Sequence, residues 1–383
     1  MKKGFSTRQI HSGQKPDPST GAIMTPIYAT STYIQESPGV HKGYEYSRSH
    51  NPTRFAYEDC IADLEDGSAG FAFASGLSAM NTILELLPHG SHIISMDDLY
   101  GGTYRLFERV KKLSSNFEFS FIDMSKPEII ESFIKKNTKM IWIETPTNPM
   151  LKIVDLKKIA EISKSHNLIS VCDNTFASPY LQKPLNHGID IVVHSATKYL
   201  NGHSDMIGGI VVTGNNNDIT EKIRFLQNAI GSIQGPFDSF LAMRGLKTLS
   251  IRMEAHCKNA MEIAKFLSTH KLTEQVIYPG LPSHPGYEIA SKQMALYGGM
   301  VTVILKGGLD VSRKFLENCK LFSLAESLGG VESLIEHPAI MTHASIPKEE
   351  REKLGILDGL VRLSVGIEDL QDLIEDLDTA LHL

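Results

Sequence analysis

From about residue 55, short apolar runs alternate along the chain with helix-like segments. The runs are rich in Val, Ile and Phe, and each is short enough to form a buried strand. They cover residues 71–75, 92–96, 118–122, 140–144, 168–173, 189–194 and 207–213. Amphipathic stretches such as 77–87 and 156–165 lie between several of them. This alternation predicts an α/β fold with a mostly parallel sheet and helices on both faces.

The two ends of the chain have other patterns. Residues 1–52 are rich in Ser, Thr, Pro, Tyr and Gly, which predicts an extended arm. So many aromatic side chains need cover, so we expect the arm to contact a neighbouring subunit. Residues 53–245 would form the large domain. Beyond them, a long helical segment, separate strand patterns and an amphipathic tail predict a smaller α+β domain at 246–383.

Composition excludes several classes of protein. The chain of 383 residues is 42% hydrophobic, and 38 basic against 44 acidic residues give a net charge of −6, which disfavours a nucleic-acid binder. No apolar stretch reaches the roughly 18 residues of a membrane span, and the charged N-terminus lacks the apolar run of a signal peptide. Cys60, Cys172, Cys257 and Cys319 are widely spaced, so we expect no disulfides and a cytoplasmic protein.

Polar or glycine-rich groups follow five of the runs, at the edge where open α/β sheets bind ligands. Ser75 and Gly76 precede a helix, which suits either a tight turn with a helix cap or an anion site. The chain has neither a G-x-x-x-x-G-K-[ST] nor a G-x-G-x-x-G pattern. A nucleoside triphosphate or a dinucleotide is therefore disfavoured as the ligand.

Asp173 and Lys198 follow two successive predicted strands. Taken singly, Asp173 could cap the next helix and Lys198 could be a solvated amine. Together, an acid and a lysine at neighbouring strand ends suit a pyridoxal phosphate site, in which the lysine forms a Schiff base and the acid keeps the ring nitrogen protonated. The hydroxyls of Ser195 and Thr197 could join Gly76 on the phosphate.

Residues 194–205, with the sequence HSATKYLNGHSD, resemble a motif of the pyridoxal-phosphate enzymes of Cys/Met metabolism. Further motifs of that family occur at residues 44–48, 51–54, 74–76, 100–103, 144–149, 173–175, 324–330 and 361–366. The family includes cystathionine γ-synthase, cystathionine γ- and β-lyases and methionine γ-lyase. The resemblance implies a large domain with the type I pyridoxal-phosphate fold and a homotetramer of dimers that share active sites.

The resemblance also implies how the cofactor is held. Lys198 would form the Schiff base and shuttle protons, Asp173 would pair with the pyridine nitrogen, and Tyr100 would stack on the ring. The phosphate would be held by four residues of one subunit, namely Gly76, Leu77, Ser195 and Thr197. Two residues of the neighbouring subunit would reach the same phosphate, namely Tyr46 and Arg48. His50, beside these two, stands where the family more often has glycine.

On the substrate side, the resemblance implies that Arg362 binds the α-carboxylate, with Asn148 and Ser327 nearby. The alternation of residues along the strand is equally consistent with an Arg362 that is exposed on the surface. A carboxylate at the far end of the pocket could pair with the distal ammonium of cystathionine, and Glu326 and Glu45 are the candidates. A structural salt bridge is the other interpretation of both. Methionine γ-lyases have a small apolar residue at the position of Glu326 and a Cys within their version of segment 100–102. This chain has neither, so methionine is disfavoured as the substrate.

The favoured hypothesis is a carbon–sulfur lyase that acts on L-cystathionine, with β- and γ-cleavage both open. The alternative is cystathionine γ-synthase, a transferase that joins cysteine to an O-acyl-homoserine. A remote alternative is a metal-dependent hydrolase with His194, His203 and Asp205 as ligands. That last hypothesis leaves the acid, the lysine and the hydroxyls without a role.

Overall fold

The computed structural model describes residues 2–344 and 347–382, and two sheets organise this part of the chain. The larger sheet contains β1 (Ala69–Phe73), β2 (His92–Met96), β3 (Glu118–Ile122), β4 (Thr138–Glu144), β5 (Ile169–Asp173), β6 (Ile191–Ser195) and β7 (Gly209–Thr213). The smaller sheet contains β8 (Thr273–Ile277), β9 (Met300–Leu305), β10 (Ser323–Leu324), β11 (Leu334–Glu336) and β12 (Leu360–Ser364). Each apolar run of the sequence therefore overlaps one strand of the larger sheet.

Helices pack around both sheets. The α-helices of the described residues are α1 (Phe5–His11), α2 (Pro52–Leu64), α3 (Gly76–Leu84), α4 (Gly101–Arg105), α5 (Lys112–Ser114), α6 (Leu156–Ser165), α7 (Ser178–Leu181), α8 (Asn217–Ile230), α9 (Pro236–Leu246), α10 (Leu249–Thr269), α11 (Tyr287–Gln293), α12 (Gly308–Asn318), α13 (Lys348–Lys353) and α14 (Leu370–Leu381). A π-helical turn, Leu106–Lys111, joins α4 to α5, and 3-10 turns occur at Pro127–Phe133 and Pro184–His187. No helix in the described residues is both long enough and apolar enough to cross a membrane.

The order of the larger sheet is β1-β7-β6-β5-β4-β2-β3, and β7 alone of these seven strands runs in the reverse direction. Every residue of β2 and β7 is buried, as expected for strands covered on both faces. This architecture confirms the predicted α/β fold with a mostly parallel sheet. Because β1, β2, β4, β5 and β6 point the same way, their carboxyl ends meet at one edge of the sheet.

The start of α3 differs from the sequence expectation. The apolar pattern predicts a strand that continues to residue 75, but β1 ends at Phe73 and Ser75 is the N-cap of α3. The Ser75 hydroxyl accepts a hydrogen bond from the Ser78 N–H, at 3.0 Å. This bond satisfies one of the N–H groups that a helix leaves without a partner in its first turn. The cap brings the beginning of α3 to the carboxyl edge of the sheet.

The segment before α2 has little regular structure. It contains α1 and isolated bridges such as that between Thr32 and Tyr46. His50 packs edge-on against Phe55, with ring centroids 6.0 Å apart. The division of the chain at residues 52 and 245 stays a prediction.

The smaller sheet, with the order β10-β11-β12-β9-β8, is antiparallel except for the β10–β11 pair.

Candidate active site

A cavity of about 360 Å³ lies at the carboxyl edge of the larger sheet, where β12 approaches it. Eleven of the residues predicted for the site line this cavity, namely Gly76, Leu77, Tyr100, Asn148, Asp173, Ser195, Thr197, Lys198, Glu326, Ser327 and Arg362. They lie up to 286 positions apart in the chain. The fold therefore brings together most of the residues that the motifs indicated.

One end of the cavity is rich in hydrogen-bond donors. The first N–H groups of α3 belong to Gly76 and Leu77, and the helix itself offers them no partner. Ser195 lies against Gly76, and Thr197 also lines the cavity. Gly76 packs closely on β6, since a Cβ added there would lie 3.2 Å from the Cβ of Ser195. Free N–H groups at a helix start beside two hydroxyls form an arrangement suited to an anion.

We expect Gly209→Ala to disrupt this end of the cavity. A Cβ at Gly209 would collide with the Ser75 carbonyl oxygen and come within 2.8 Å of the Gly76 Cα. Both are backbone atoms, so the cap of α3 must shift, at a cost of about 1–3 kcal/mol. Thermal unfolding measures the loss of stability. The affinity of the protein for a phosphate ester measures the damage to the anion site. Gly4→Ala is the matched control, because nothing lies within 4 Å of its added Cβ. Unchanged stability and affinity in Gly209→Ala would contradict the expectation.

Asp173 is buried at the end of β5, beside Glu144 in the neighbouring strand. Its Oδ1 accepts hydrogen bonds from the Thr175 N–H, at 3.0 Å, and from the Thr175 hydroxyl, at 2.5 Å. Burial raises the pKa of Asp173, and these two bonds oppose the rise. Burial and the charge of Asp173 raise the pKa of Glu144 well above its ordinary value. A cationic ligand at this position would favour the ionised form of Asp173.

Lys198 lies just beyond β6, with its amine inside the cavity. Its Nζ donates a hydrogen bond to the Ser327 hydroxyl, at 2.6 Å. Burial, and after it the positive charge of Arg362, lower the pKa of Lys198 to about 8. A neutral amine is a nucleophile and can accept a proton, so the site favours the reactive form of this lysine.

Arg362, in β12, is buried and lines the cavity, which rules out the exposed strand position that alternation alone left open. Its Nη1 donates to Asn148 Oδ1 at 2.9 Å and lies 3.0 Å from Glu336 Oε1. Its Nη2 donates to the Ser327 carbonyl oxygen at 2.8 Å. Ser327 thus contacts Lys198 through its hydroxyl and Arg362 through its backbone. A buried amine and a buried guanidinium therefore face one small cavity.

Sequence reasoning did not assign roles to four polar residues of this region. Thr175 supplies both hydrogen bonds to Asp173, and Glu144 accepts one from the Tyr100 N–H, at 3.1 Å. Glu336 pairs with Arg362, and Thr342 donates to Glu336. Thr175 and Glu144 lie inside motifs quoted above, so their position was a usable signal. Nothing local marks Glu336 or Thr342, because their role depends on the pairing of β11 with β12.

Three residues predicted for the site do not line the cavity of this chain. Glu45 pairs with His41, Oε1 to Nε2, at 2.9 Å. The Arg48 guanidinium lies 5.6 Å from the centre of the Tyr46 ring and donates to Asn228 Oδ1 at 3.3 Å. Tyr46 is 46% exposed. Their roles stay predictions, since the expectation for Tyr46 and Arg48 concerns the site of a neighbouring subunit.

The side chains considered as metal ligands have other partners. His194 is fully buried and its Nε2 lies 2.6 Å from Glu65 Oε1. His203 Nδ1 lies 2.6 Å from the Asn201 carbonyl oxygen, and Asp205 accepts a hydrogen bond from the Asn201 side chain. Within residues 2–344 and 347–382, no three His, Cys, Asp or Glu side chains are grouped so as to hold a metal ion. The geometry gives no support to the hydrolase hypothesis.

The fold is similar to that of enzymes of known structure. The crystal structure of cystathionine gamma-lyase from Lactobacillus plantarum complexed with L-serine superimposes with a TM-score of 0.96 and 49% identity, covering 99% of this chain and 98% of that one. The cystathionine beta-lyase of Coxiella burnetii is 63% identical over 99% of this chain and 98% of its own length. The cystathionine gamma-lyase of Dictyostelium discoideum is 56% identical over 98% of this chain and 97% of its own length.

The family model described as Cys/Met metabolism PLP-dependent enzyme matches residues 6–382. With the motifs, the cavity and these relatives in agreement, the chain belongs to the Cys/Met metabolism PLP-dependent enzyme family. The resemblance inferred from the motifs is confirmed, and the protein is an enzyme. Its substrate is a small amino acid of the kind that this family transforms.

Proposed function

We propose that this enzyme is a lyase that cleaves a carbon–sulfur bond of L-cystathionine. The observation that carries the proposal is the meeting of Lys198 and Arg362 at Ser327, which puts a proton acceptor and a carboxylate-binding group in one cavity. The relatives that are 63% and 56% identical are named cystathionine beta-lyase and cystathionine gamma-lyase. Both names describe carbon–sulfur bond cleavage of the same substrate.

The residues of the cavity fit pyridoxal phosphate. The cofactor needs an anion site, a carboxylate for its ring nitrogen and an amine that holds its carbonyl carbon. Gly76, Leu77, Ser195 and Thr197 would hold the phosphate, and Lys198 would provide the amine. Asp173 would pair with the ring nitrogen through Oδ2, because Thr175 occupies Oδ1 and no hydrogen bond reaches Oδ2 from the described residues. Tyr100, which lines the cavity, would cover one face of the ring.

When bound, the cofactor supplies an electron sink for the charge that develops on the substrate α-carbon. Arg362 holds the substrate α-carboxylate, and its bond to the Ser327 carbonyl fixes its position relative to Lys198. Lys198 Nζ takes the proton from the α-carbon and returns a proton later in the reaction. With water as co-reactant, β-cleavage yields homocysteine, pyruvate and ammonia, and γ-cleavage yields cysteine, 2-oxobutyrate and ammonia.

Glu326 is the proposed partner of the distal ammonium of cystathionine. It lines the cavity next to Ser327, and its side chain is exposed, so an incoming substrate can reach it. Glu45 would approach the same ammonium from a neighbouring subunit. Two carboxylates around one ammonium would favour cystathionine over methionine, which has no second charged group.

We also propose a homotetramer of dimers with shared sites, located in the cytoplasm. The support is the apolar surface of the arm, where Ile23 and Ile34 are 85% and 96% exposed in the single chain. Side chains of this kind are stabilised when another subunit covers them. Tyr46 and Arg48 would then reach the phosphate of the partner. The four cysteines are buried and unpaired, which suits a reducing compartment.

The test is the identity of the 2-oxo acid formed from L-cystathionine by the cofactor-loaded protein. Pyruvate indicates β-cleavage and 2-oxobutyrate indicates γ-cleavage, and either one supports the proposal. The control is the same protein after borohydride treatment, which should be inactive. Formation of cystathionine from cysteine and an O-acyl-homoserine, with no 2-oxo acid from cystathionine, would overturn the lyase proposal in favour of the transferase.

A further inference from the structure

The contacts of Arg362 with the described residues leave the Nε of its guanidinium without a hydrogen-bond partner. Arginine has five N–H donors in a fixed planar arrangement, two on each Nη and one on Nε. Nη1 donates to Asn148 and lies 3.0 Å from Glu336 Oε1 in an ion pair, and Nη2 donates to the Ser327 carbonyl oxygen. Nε is buried and has no hydrogen-bond partner in the described part of the chain. The Nε hydrogen and one Nη2 hydrogen of a guanidinium are parallel, so this edge has the geometry to bind a carboxylate in a bidentate manner.

Glu336 holds the opposite edge of that guanidinium. It ends β11 directly across from Arg362 in β12, and it is 1% exposed. Its Oε1 forms an ion pair with Arg362 Nη1, at 3.0 Å, and accepts a hydrogen bond from the Thr342 hydroxyl, at 2.9 Å. Two neighbours therefore fix the position of this oxygen. The attraction of Nη1 to this oxygen, together with the bonds to Asn148 and Ser327, restricts the rotation of the guanidinium.

We propose that Glu336 is a positioning residue that turns the Nε–Nη2 edge of Arg362 towards the α-carboxylate of the substrate, and that Thr342 holds Glu336 for this purpose. The inference rests on the proposed function in one respect, namely that the substrate is an amino acid with a free α-carboxylate. It does not depend on which carbon–sulfur bond is cleaved. It adds two residues to substrate recognition, neither of which needs to contact the substrate.

A purely electrostatic role for Glu336 predicts the opposite result. If the carboxylate merely neutralised Arg362, its removal would leave a stronger positive charge, and a substrate carboxylate would bind more tightly. Glu336→Ala and Glu336→Gln would then behave alike. A positioning role predicts that Glu336→Ala weakens carboxylate binding and that Glu336→Gln largely retains it, because a glutamine oxygen can take the same place beside Nη1 and accept from it.

Thr342 provides a matched pair of variants on the other side of Glu336. Thr342→Val keeps the shape of the side chain and removes the hydroxyl, whereas Thr342→Ser keeps the hydroxyl. We expect Thr342→Val to weaken carboxylate binding less than Glu336→Ala does, and Thr342→Ser to resemble the unaltered protein. These milder changes test the proposal even if Glu336→Ala fails to fold.

The experiment compares L-alanine with L-alaninamide as ligands of the pyridoxal-phosphate-loaded protein. The two probes differ in the carboxylate, and their binding is followed by the change in the visible absorption of the cofactor. In the unaltered protein we expect a clear preference for L-alanine. In Glu336→Ala we expect the affinity for L-alanine to fall about tenfold or more, the size of one hydrogen bond to a charged group. The affinity for L-alaninamide should stay nearly constant. The KM for L-cystathionine should rise together with the dissociation constant of L-alanine, while kcat changes much less.

Tighter or unchanged binding of L-alanine in Glu336→Ala, or equal behaviour of the alanine and glutamine variants, would overturn the proposal. If Glu336→Ala does not fold, unchanged binding in Thr342→Val would overturn it instead. A protein that binds L-alanine in a Glu336-dependent manner and yet does not cleave L-cystathionine would support this inference and reject the proposed function. The two proposals therefore fail in distinguishable ways.

Discussion

Replacement of Lys198 by alanine lowers the rate of L-cystathionine cleavage at least about 1000-fold, because general acid–base catalysis alone contributes about 10²–10⁴. The amine is buried against Ser327, and its pKa is lowered to about 8, so it loses its proton more readily than an exposed lysine does. Asp173 and the anion site are unchanged in this variant. We therefore expect the protein to retain its fold and to bind the cofactor without a covalent bond.

The measurement is the rate of 2-oxo acid formation, together with the fraction of cofactor that borohydride attaches to the protein. We expect no attachment in Lys198→Ala and full attachment in the control Lys164→Ala, which alters an exposed lysine near the end of α6. Attachment of the cofactor to Lys198→Ala would show that another lysine holds it. That result would remove the basis of the proposed mechanism.

The same variant can test the proposed sharing of sites. Lys198→Ala subunits are mixed with Arg48→Ala subunits, each of which alone should have low activity. If Arg48 serves the neighbouring site, a mixed dimer contains one site with both side chains intact, and part of the activity returns. Absence of recovery in a mixture that forms dimers would reject the proposed role of the arm.

Replacement of Arg362 by methionine raises the KM for L-cystathionine by about 100-fold or more, because the loss of one partner of a buried charge pair costs about 2–5 kcal/mol. The substrate carboxylate loses its bidentate partner, and Glu336 is left buried without a cation. The variant should therefore also be less stable than the unaltered protein. Arg362→Lys keeps the charge but lacks the planar arrangement of donors. We therefore expect its stability to be close to that of the unaltered protein, while its KM stays high, as in Arg362→Met.

Steady-state kinetics and denaturant unfolding measure these two effects separately. Arg313→Met is the control, since Arg313 is exposed on α12 in the same part of the chain as β12. It should leave both KM and stability near their original values. A normal KM in Arg362→Met would mean that another group binds the carboxylate, and the assignment of Arg362 would then be wrong.

Most of the larger sheet was predictable from apolar periodicity, because a strand buried on both faces must be apolar along its length. The run at residues 92–96 coincides with β2, which is buried throughout, and the run at residues 118–122 coincides with β3, an edge strand in which Glu118 is exposed. The run at residues 207–213 gives no sign that β7 is antiparallel, since an apolar run has no direction. Strand ends were less accurate where a polar cap follows, as with β1 and Ser75.

The residues of the site were also only partly predictable from the sequence. Asp173 and Lys198 were identified because each follows an apolar run, and parallel strands bring their carboxyl ends to one edge. The substrate side depends on the smaller sheet, whose contact with the larger one has no local sequence signal. The alternation along the strand was consistent with either an exposed or a substrate-binding Arg362. The structure shows that Arg362 is buried and lines the cavity.

The sequence alone determined the α/β class, the family and the chemistry of the cofactor end, because these follow from local periodicity and from residues close together in the chain. Only the tertiary structure decided what surrounds Arg362. Glu336, Asn148 and Ser327 come from separate segments, and cross-strand register together with burial brings them to one guanidinium. Hydrogen bonds between distant segments depend on distances that no local pattern encodes, so the edge of Arg362 that is free for a substrate is a property of the fold.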